Sequence, residues 1–325
     1  MSDAALLQVL DALADGALHS GETLAKEFNI SRAALAKRID HLRDWGVQIA
    51  AQAGAGYRLA APLERLDAVR IRSVLAPAAR TTQVDVVPST DSTNTQLLAA
   101  DTTRDPQMLF AERQTAGRGR RGRDWVSPFG ANLYGSIGYT FAAWPPRITT
   151  LPLAMAVAIA RVIESAGLPE VVIKWPNDLH IDGQKLAGIL METRGEAGGA
   201  CRVVVGVGLN VGLSSAQAVA ITQPWTSLAA ALAARGRPVP SRNTLAALLV
   251  SELVAALGHF AQHGFAPFAA EWKRRDVLAG QAVRVEADTP LNGTAHGIDD
   301  DGGLVIQTES GRQVVHAGDV SVRAA

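Results

Sequence analysis

Two short stretches carry residue types that can do chemistry together. The first, GRGRRGR at residues 117–123, sets four arginines and three glycines in seven positions and runs on into Asp124-Trp125. An arginine presents a planar fork of donors that matches phosphate or carboxylate oxygens, and glycine lets backbone N–H groups approach the same anion. Such a run also fits a solvated face, a targeting signal or an RNA-binding patch. Its place between apolar strand-like segments, with an ordered WVSP turn after it, favours an anion-gripping loop. The second stretch, IKWPNDLHIDGQKLAGILMET, sets Lys174 to Asp178 at a strand end, then a tight turn at Asp182-Gly183, then Lys185 at the start of an apolar strand. A lysine leaving a turn is ordinarily exposed. Here the residues that follow it are buried-strand types, which points its ammonium into a cleft as a fixed positive charge.

The elements that must position these residues fall into three pieces. Residues 1–62 predict helices over ALLQVLDAL, ETLAKEF and RAALAKRIDHLRDW, the third capped by Ser31 and ended by Gly46, and then a small hairpin from VQIAAQ and GYRLA. That order is a winged helix-turn-helix, with Ser31, Arg32, Lys37 and Arg38 on the candidate DNA-reading helix. Six basic against seven acidic residues over 1–62 leave only that helix locally basic, so a unit that contacts protein stays open as the alternative. Residues 63–79 predict a linker helix over LERLDAVRIRSVL. An α/β segment over 80–272 follows, with strands at QVDVV, MLFAE, NLYGSIGY, VVIKW, KLAGILMET and VVVGVGLNV. Its helices are NTQLLAA, LPLAMAVAIARVIES and NTLAALLVSELVAALGHFAQHG. Over 273–325 the short strands AVRVEA, TAHGI, GLVIQT and RQVVHA predict a small β-barrel.

Composition bounds the functions open to this chain. The 325 residues are 48% apolar and 19% charged, enough for real cores, which excludes a disordered chain. The formal net charge is zero, so any basic function is local. The lone Cys201 reads as a small apolar side chain, the N-terminus as no signal peptide, and no uninterrupted apolar run approaches the ~20 residues of a membrane span; a cytoplasmic protein is expected. The seven histidines show no metal spacing and read as surface or satisfied residues. Trp144 and Trp272 read as core. In VVVGVGLNVG the third fingerprint glycine is replaced by Val211, so a dinucleotide site fails, and the glycines are expected to allow close approach of a ligand.

Taken in order, DSTN (91–94), QTAGRGRRGRDWVSPFGANLY, KWPNDL, KLAGILME and GVGLNV resemble the biotin protein ligases, and the N-terminal unit resembles that of the bifunctional ligases that also repress biotin-synthesis genes. The resemblance covers essentially the whole chain. It implies an α+β multidomain protein, with a winged helix-turn-helix, a class II-synthetase-like catalytic domain with a mixed sheet and an SH3-like C-terminal barrel. By similarity, Ser92, Thr93, Asn94, Gln114, Arg118, Gly119 and Arg120 hold biotin, and Lys185 contacts its carboxylate region. Arg118, Arg120, Arg121, Asn177, Lys185, Asn210 and Trp225 would face ATP or the adenylate, with Lys185 and Arg120 catalytic. The implied reaction forms biotinyl-5′-AMP from biotin and ATP with Mg²⁺, then transfers biotin to a lysine of biotin carboxyl carrier protein. Operator DNA and a biotinyl-AMP-promoted homodimer complete the implied partners, and no membrane is implied. Two alternatives stand beside this reading: a biotin-sensing regulator with little ligase activity, and a lipoate or octanoate transferase of the same fold.

Overall fold

A computed structural model describes residues 2–196, 198–286, 290–317 and 321–324. At the N-terminus, helices α1 (Asp3–Ala12), α2 (Gly21–Glu27) and α3 (Arg32–Asp44) pack around Leu10, Leu24, Leu35, Ile39 and Leu42, and the strands β1 (Ile49–Gln52) and β2 (Gly56–Leu59) form the wing. Ser20 and Ser31 cap α2 and α3 through their side chains, accepting from Thr23 N and Ala34 N. This core is not self-contained. Phe129, from the segment after the arginine loop, is buried in it and stacks on Trp45 with ring centroids 5.3 Å apart.

The linker is less helical than the sequence predicts. Residues 63–67 are extended, and α4 covers only Ala68–Ser73, because Asp67 takes the capping position and accepts from Val69 N and Arg70 N. Upstream of that cap, Arg65 Nη1 donates to both carboxylate oxygens of Asp11 in α1, at 3.0 and 2.9 Å.

The central unit is a seven-stranded sheet in the order β3-β4-β5-β9-β8-β7-β6. Its strands are β3 (Gln83–Val87), β4 (Gln107–Ala111), β5 (Leu133–Phe141), β6 (Val172–Lys174), β7 (Asp178–Ile181), β8 (Gln184–Gly195) and β9 (Cys201–Leu209). Only β3 and β4 run parallel, so the sheet is mixed. Side-chain alternation turns Ser136 and Gly206 toward α5 (Thr93–Ala99) and sends Ile137, Val205 and Val207 into the apolar core. That core is closed by α6 (Leu151–Ser165), the short α7 (Leu228–Ala233), α8 (Arg242–His263) and α9 (Ala266–Arg275). Segments 148–165 and 242–263 are long enough and apolar enough on average to cross a membrane, although polar residues interrupt both; α6 and α8 are core helices packed on each other. The α9 helix runs on to Arg275, so a division at 272 falls inside it.

Strands β10 (Ala282–Glu286), β11 (Leu291–Ile298), β12 (Leu304–Thr308), β13 (Gly311–Val315) and β14 (Ser321–Ala324) form an antiparallel C-terminal sheet in the order β13-β12-β11-β10-β14. The last of these had no counterpart among the predicted strands. Ala287, which ends the predicted strand AVRVEA, and the terminal Ala325 lie outside the described residues. Trp272 is core, but Trp144 is not: its side of the molecule is open, and its indole donates to Glu196 O at 3.0 Å.

Candidate active site

Lys185 is brought into a cleft by its own strand. Asp182 and Gly183 both have positive φ (50° and 74°), the turn that a two-residue hairpin needs, and Lys185 follows as the chain enters β8. Its backbone pairs with the segment around Trp225: Lys185 N donates to Pro224 O at 3.0 Å, and Thr226 N donates to Lys185 O at 2.9 Å. The ammonium lies 2.8 Å from Asp178 Oδ1 and 5.3 Å from the centre of the Trp125 ring, with 12% of the side chain exposed. A cation held between a carboxylate and an indole face in a half-closed cleft is positioned before any ligand arrives.

Around it stands a cavity of about 100 Å³, walled by Ser92, Thr93, Asn94, Gln114 and the arginine loop. Ser92 occupies the N-cap position of α5 but makes no capping bond with its side chain. Thr93 N donates to Gln114 Oε1 at 2.9 Å, and Ser136 Oγ donates to Asn94 Oδ1 at 2.6 Å. Asn94 Nδ2 in turn donates to Glu192 Oε2 at 2.8 Å. The buried Thr93, Asn94 and Ser136 are thus hydrogen-bonded to one another and to the half-buried Gln114 and Glu192, which orients the polar groups of the pocket.

The arginine loop folds back over this pocket. Trp125 N donates to Gly117 O at 2.8 Å, Gly119 N donates to Arg123 O at 2.6 Å, and Arg121 sits in the left-handed region at φ 59°. Its arginines take different walls. Arg118 reaches Glu192 Oε2 at 2.9 Å and Thr95 Oγ1 at 3.2 Å. Arg120 reaches Asn177 Oδ1 at 3.5 Å and donates to Ala317 O of the C-terminal unit. Arg121 and Arg123 line a second, wider cleft of about 800 Å³ with Lys174, Asn210 and Trp225. Gly119 lies in the wall of the first cavity.

Trp125 separates the two clefts, and sequence reasoning gave it no role. A Cβ on Gly208 would collide with its indole, and one on Gly188 would sit 2.9 Å from Cζ3. A Cβ on Gly206 would collide with the amide of Asn94. The glycines of GVGLN thus admit two of the protein's own side chains to the sheet surface, where the sequence suggested a ligand. The Trp125 indole N–H is buried with no acceptor among the described residues. Asp178, the partner of Lys185, and Glu192, the partner of Arg118, were also not singled out for these contacts, although both stand inside the quoted motifs, KWPNDL and KLAGILME.

Asn210 is buried, donates to Thr226 O at 3.1 Å and accepts from Asn132 Nδ2 at 3.4 Å, so it braces the Trp225 segment as well as lining the wider cleft. The DNA-binding candidates separate. Ser31, Arg32 and Lys37 are exposed, whereas Arg38 turns inward and donates to Ala5 O of α1 at 3.4 Å. A carbonyl on the neighbouring helix offers that guanidinium a fixed partner.

His180 corrects the expectation that every histidine is surface or satisfied. Its Nε2 is buried with no partner among the described residues. Burial holds its pKa below the usual value, Lys174 and Lys185 push the same way, and Asp178 opposes them. An unfolded chain protonates this imidazole near pH 6.5, the folded chain only at lower pH. Between those values the unfolded state binds more protons, so stability falls as pH drops through that window. Thermal midpoints at about pH 7.5 and about pH 5.5 should show His180→Gln losing less on acidification than the parent. Equal losses would contradict this account of His180.

The model of the biotin/lipoate A/B protein ligase family matches residues 84–210, that of the biotin protein ligase C-terminal domain 279–323, and that of an HTH domain 5–58. The bifunctional ligase/repressor BirA of Salmonella typhimurium is 40% identical over 98% of both chains, and its Escherichia coli counterpart is 38% identical over 98% of this chain and 97% of that one. The chain belongs to the bifunctional biotin ligase/repressor family. Another relative, the biotin–[acetyl-CoA-carboxylase] ligase of Mycobacterium tuberculosis, is 37% identical over 73% of this chain and 88% of its own. Among solved structures, the biotin protein ligase from Aquifex aeolicus in complex with biotin and ATP superposes with a TM-score of 0.63 at 24% identity, covering 75% of this chain and 99% of that one. At that identity the likeness concerns the fold.

Proposed function

We propose that this family member joins biotin to ATP as biotinyl-5′-AMP and then passes the biotinyl group to one lysine of biotin carboxyl carrier protein. The observation that carries the reading is the convergence on one cleft of Lys185, the Ser92–Asn94 corner and the arginine loop. The biotin carboxylate attacks the α-phosphorus of ATP and pyrophosphate leaves; the carrier amine then attacks the mixed anhydride and AMP leaves. Bringing a carboxylate against a triphosphate requires charge neutralisation and alignment, and neither step requires an enzyme nucleophile.

In this reading Ser92, Thr93, Asn94 and Gln114 orient biotin, Lys185 offsets the charge that gathers at the reacting carboxylate and phosphorus, and Arg118 and Arg120 close the loop over the adenylate. Arg121, Asn177, Asn210 and Trp225 border the nucleotide. Trp125 lines the cavity of about 100 Å³, with its indole lying over Gly188 and Gly208. Among the described residues no group of three or more His, Cys, Asp or Glu could hold a metal, and Asp178 is already engaged by Lys185. Mg²⁺ therefore fits as an ion carried on the phosphates of ATP, where it would neutralise their charge. We assign operator binding to α3 through Arg32 and Lys37 in a homodimer loaded with biotinyl-AMP, since two half-sites need two winged helices. A cytoplasmic location follows from the substrates.

Biotin-dependent exchange of labelled pyrophosphate into ATP tests the first step. Exchange that needs biotin supports the reading. Exchange that is absent despite biotin binding would favour a sensor that does not activate its ligand.

A further inference from the structure

The bonds that fix the two ends of the arginine loop converge on one buried side chain far away in sequence. Glu112 directly follows β4, two residues before Gln114, and Gly130 N donates to Glu112 O at 3.0 Å, which closes the loop at its base. Asn132 stands on the other stem, next to β5. Arg242, the first residue of α8, reaches both stems: Nη2 donates to Glu112 Oε2 at 2.7 Å and to Asn132 O at 2.8 Å, and Nε donates to Asn132 O at 3.2 Å. Its Nη1 donates to Glu64 O at 2.8 Å, and its backbone N–H donates to Glu64 Oε2 at 2.9 Å. The second oxygen of Glu112 accepts from Leu66 N at 2.5 Å. Only 9% of the Arg242 side chain and 3% of the Glu112 side chain are exposed.

We propose that Arg242 is a positioning residue for the ligand-closing loop: it sets the spacing of the loop's two stems and ties both to the linker that carries the N-terminal domain. A buried ion pair is a poor source of net stability, because desolvation offsets most of the attraction. What a planar guanidinium adds is direction, with donors fixed toward several acceptors at once. The same anchor extends to the nucleotide side. Asn132 Oδ1 accepts from Val211 N at 2.9 Å, and the Asn132 amide donates to Asn210, which holds Thr226 O beside Trp225. Both loops that border the cleft therefore hang from one buried network.

The test rests on the adenylate reading above and uses full-length protein. Arg242→Lys keeps the charge but offers donors on a single nitrogen, too compact to span both stems. The double variant Arg242→Met with Glu112→Gln removes both buried charges. At saturating biotin each variant should form adenylate within about threefold of the parent's single-turnover rate, lose it at least about tenfold faster and show a raised KM for biotin. Hydrogen exchange without ligands should be faster at residues 113–131 in both variants than in the parent. A folded variant that exchanges and retains adenylate like the parent overturns the proposal. So does a lowered melting temperature with unchanged release, or failure of both variants to fold, since either makes Arg242 a brace for stability alone. If the parent itself forms no adenylate, the functional reading fails, and the exchange comparison still decides the clamp.

Discussion

Alanine in place of Lys185 should cut adenylate formation by about 10²–10³-fold while the fold stands, the loss expected when one preorganised donor is removed from a site of developing charge. Lys185 is suited to this effect by its surroundings. Its ammonium is held by Asp178 at 2.8 Å and by the Trp125 face, so it spends little freedom when substrate arrives. The backbone of β8 pairs with β7 and β9 without help from the side chain, which is why folding should survive. The truncation leaves the Asp178 carboxylate unpaired but 23% exposed, within reach of water. Single-turnover formation of adenylate, measured beside a melting curve, checks both halves. Parent-like turnover in a folded Lys185→Ala protein would remove this residue from the mechanism.

The second large effect belongs to Arg120 and has a different signature. Its guanidinium bridges the loop to Asn177 and to the Ala317 carbonyl, pinning the loop between the central sheet and the C-terminal unit. Arg120→Gly removes the guanidinium that makes both contacts and adds backbone freedom to a loop that already holds three glycines. Release of adenylate should accelerate by roughly tenfold or more, with a smaller loss in its synthesis. Trapping released adenylate with a soluble amine measures this directly. Equal retention by variant and parent would argue against a lid.

The legibility of this site in the sequence followed chain distance. The arginine loop, the KWPND strand end and the Asp182-Gly183 turn were readable because each is continuous, and turn chemistry and strand patterning placed Lys185 at a cleft. The linker helix was overextended because its start depends on Asp67 as a cap. Arg38 looked like a groove reader because helical periodicity does not reveal that α1 offers it a carbonyl. The glycines of GVGLN signalled close approach correctly, but the approaching groups, Asn94 and Trp125, come from distant loops. The Arg242 clamp was invisible for the same reason: its acceptors lie more than a hundred residues away. Phe129 in the N-terminal core likewise shows that the winged helix rests on the loop segment, a contact that no local pattern encodes.

The most direct test of the central claim is transfer of biotin to an apo carrier domain by the purified protein with ATP and Mg²⁺, run beside lipoate and octanoate as competing acids. The account predicts carrier biotinylation that requires ATP, prefers biotin over both other acids and collapses in Lys185→Ala. Tight biotin binding without carrier labelling would contradict it in favour of a biotin-sensing regulator, and preferential attachment of lipoate or octanoate would contradict it in favour of a different acyl substrate.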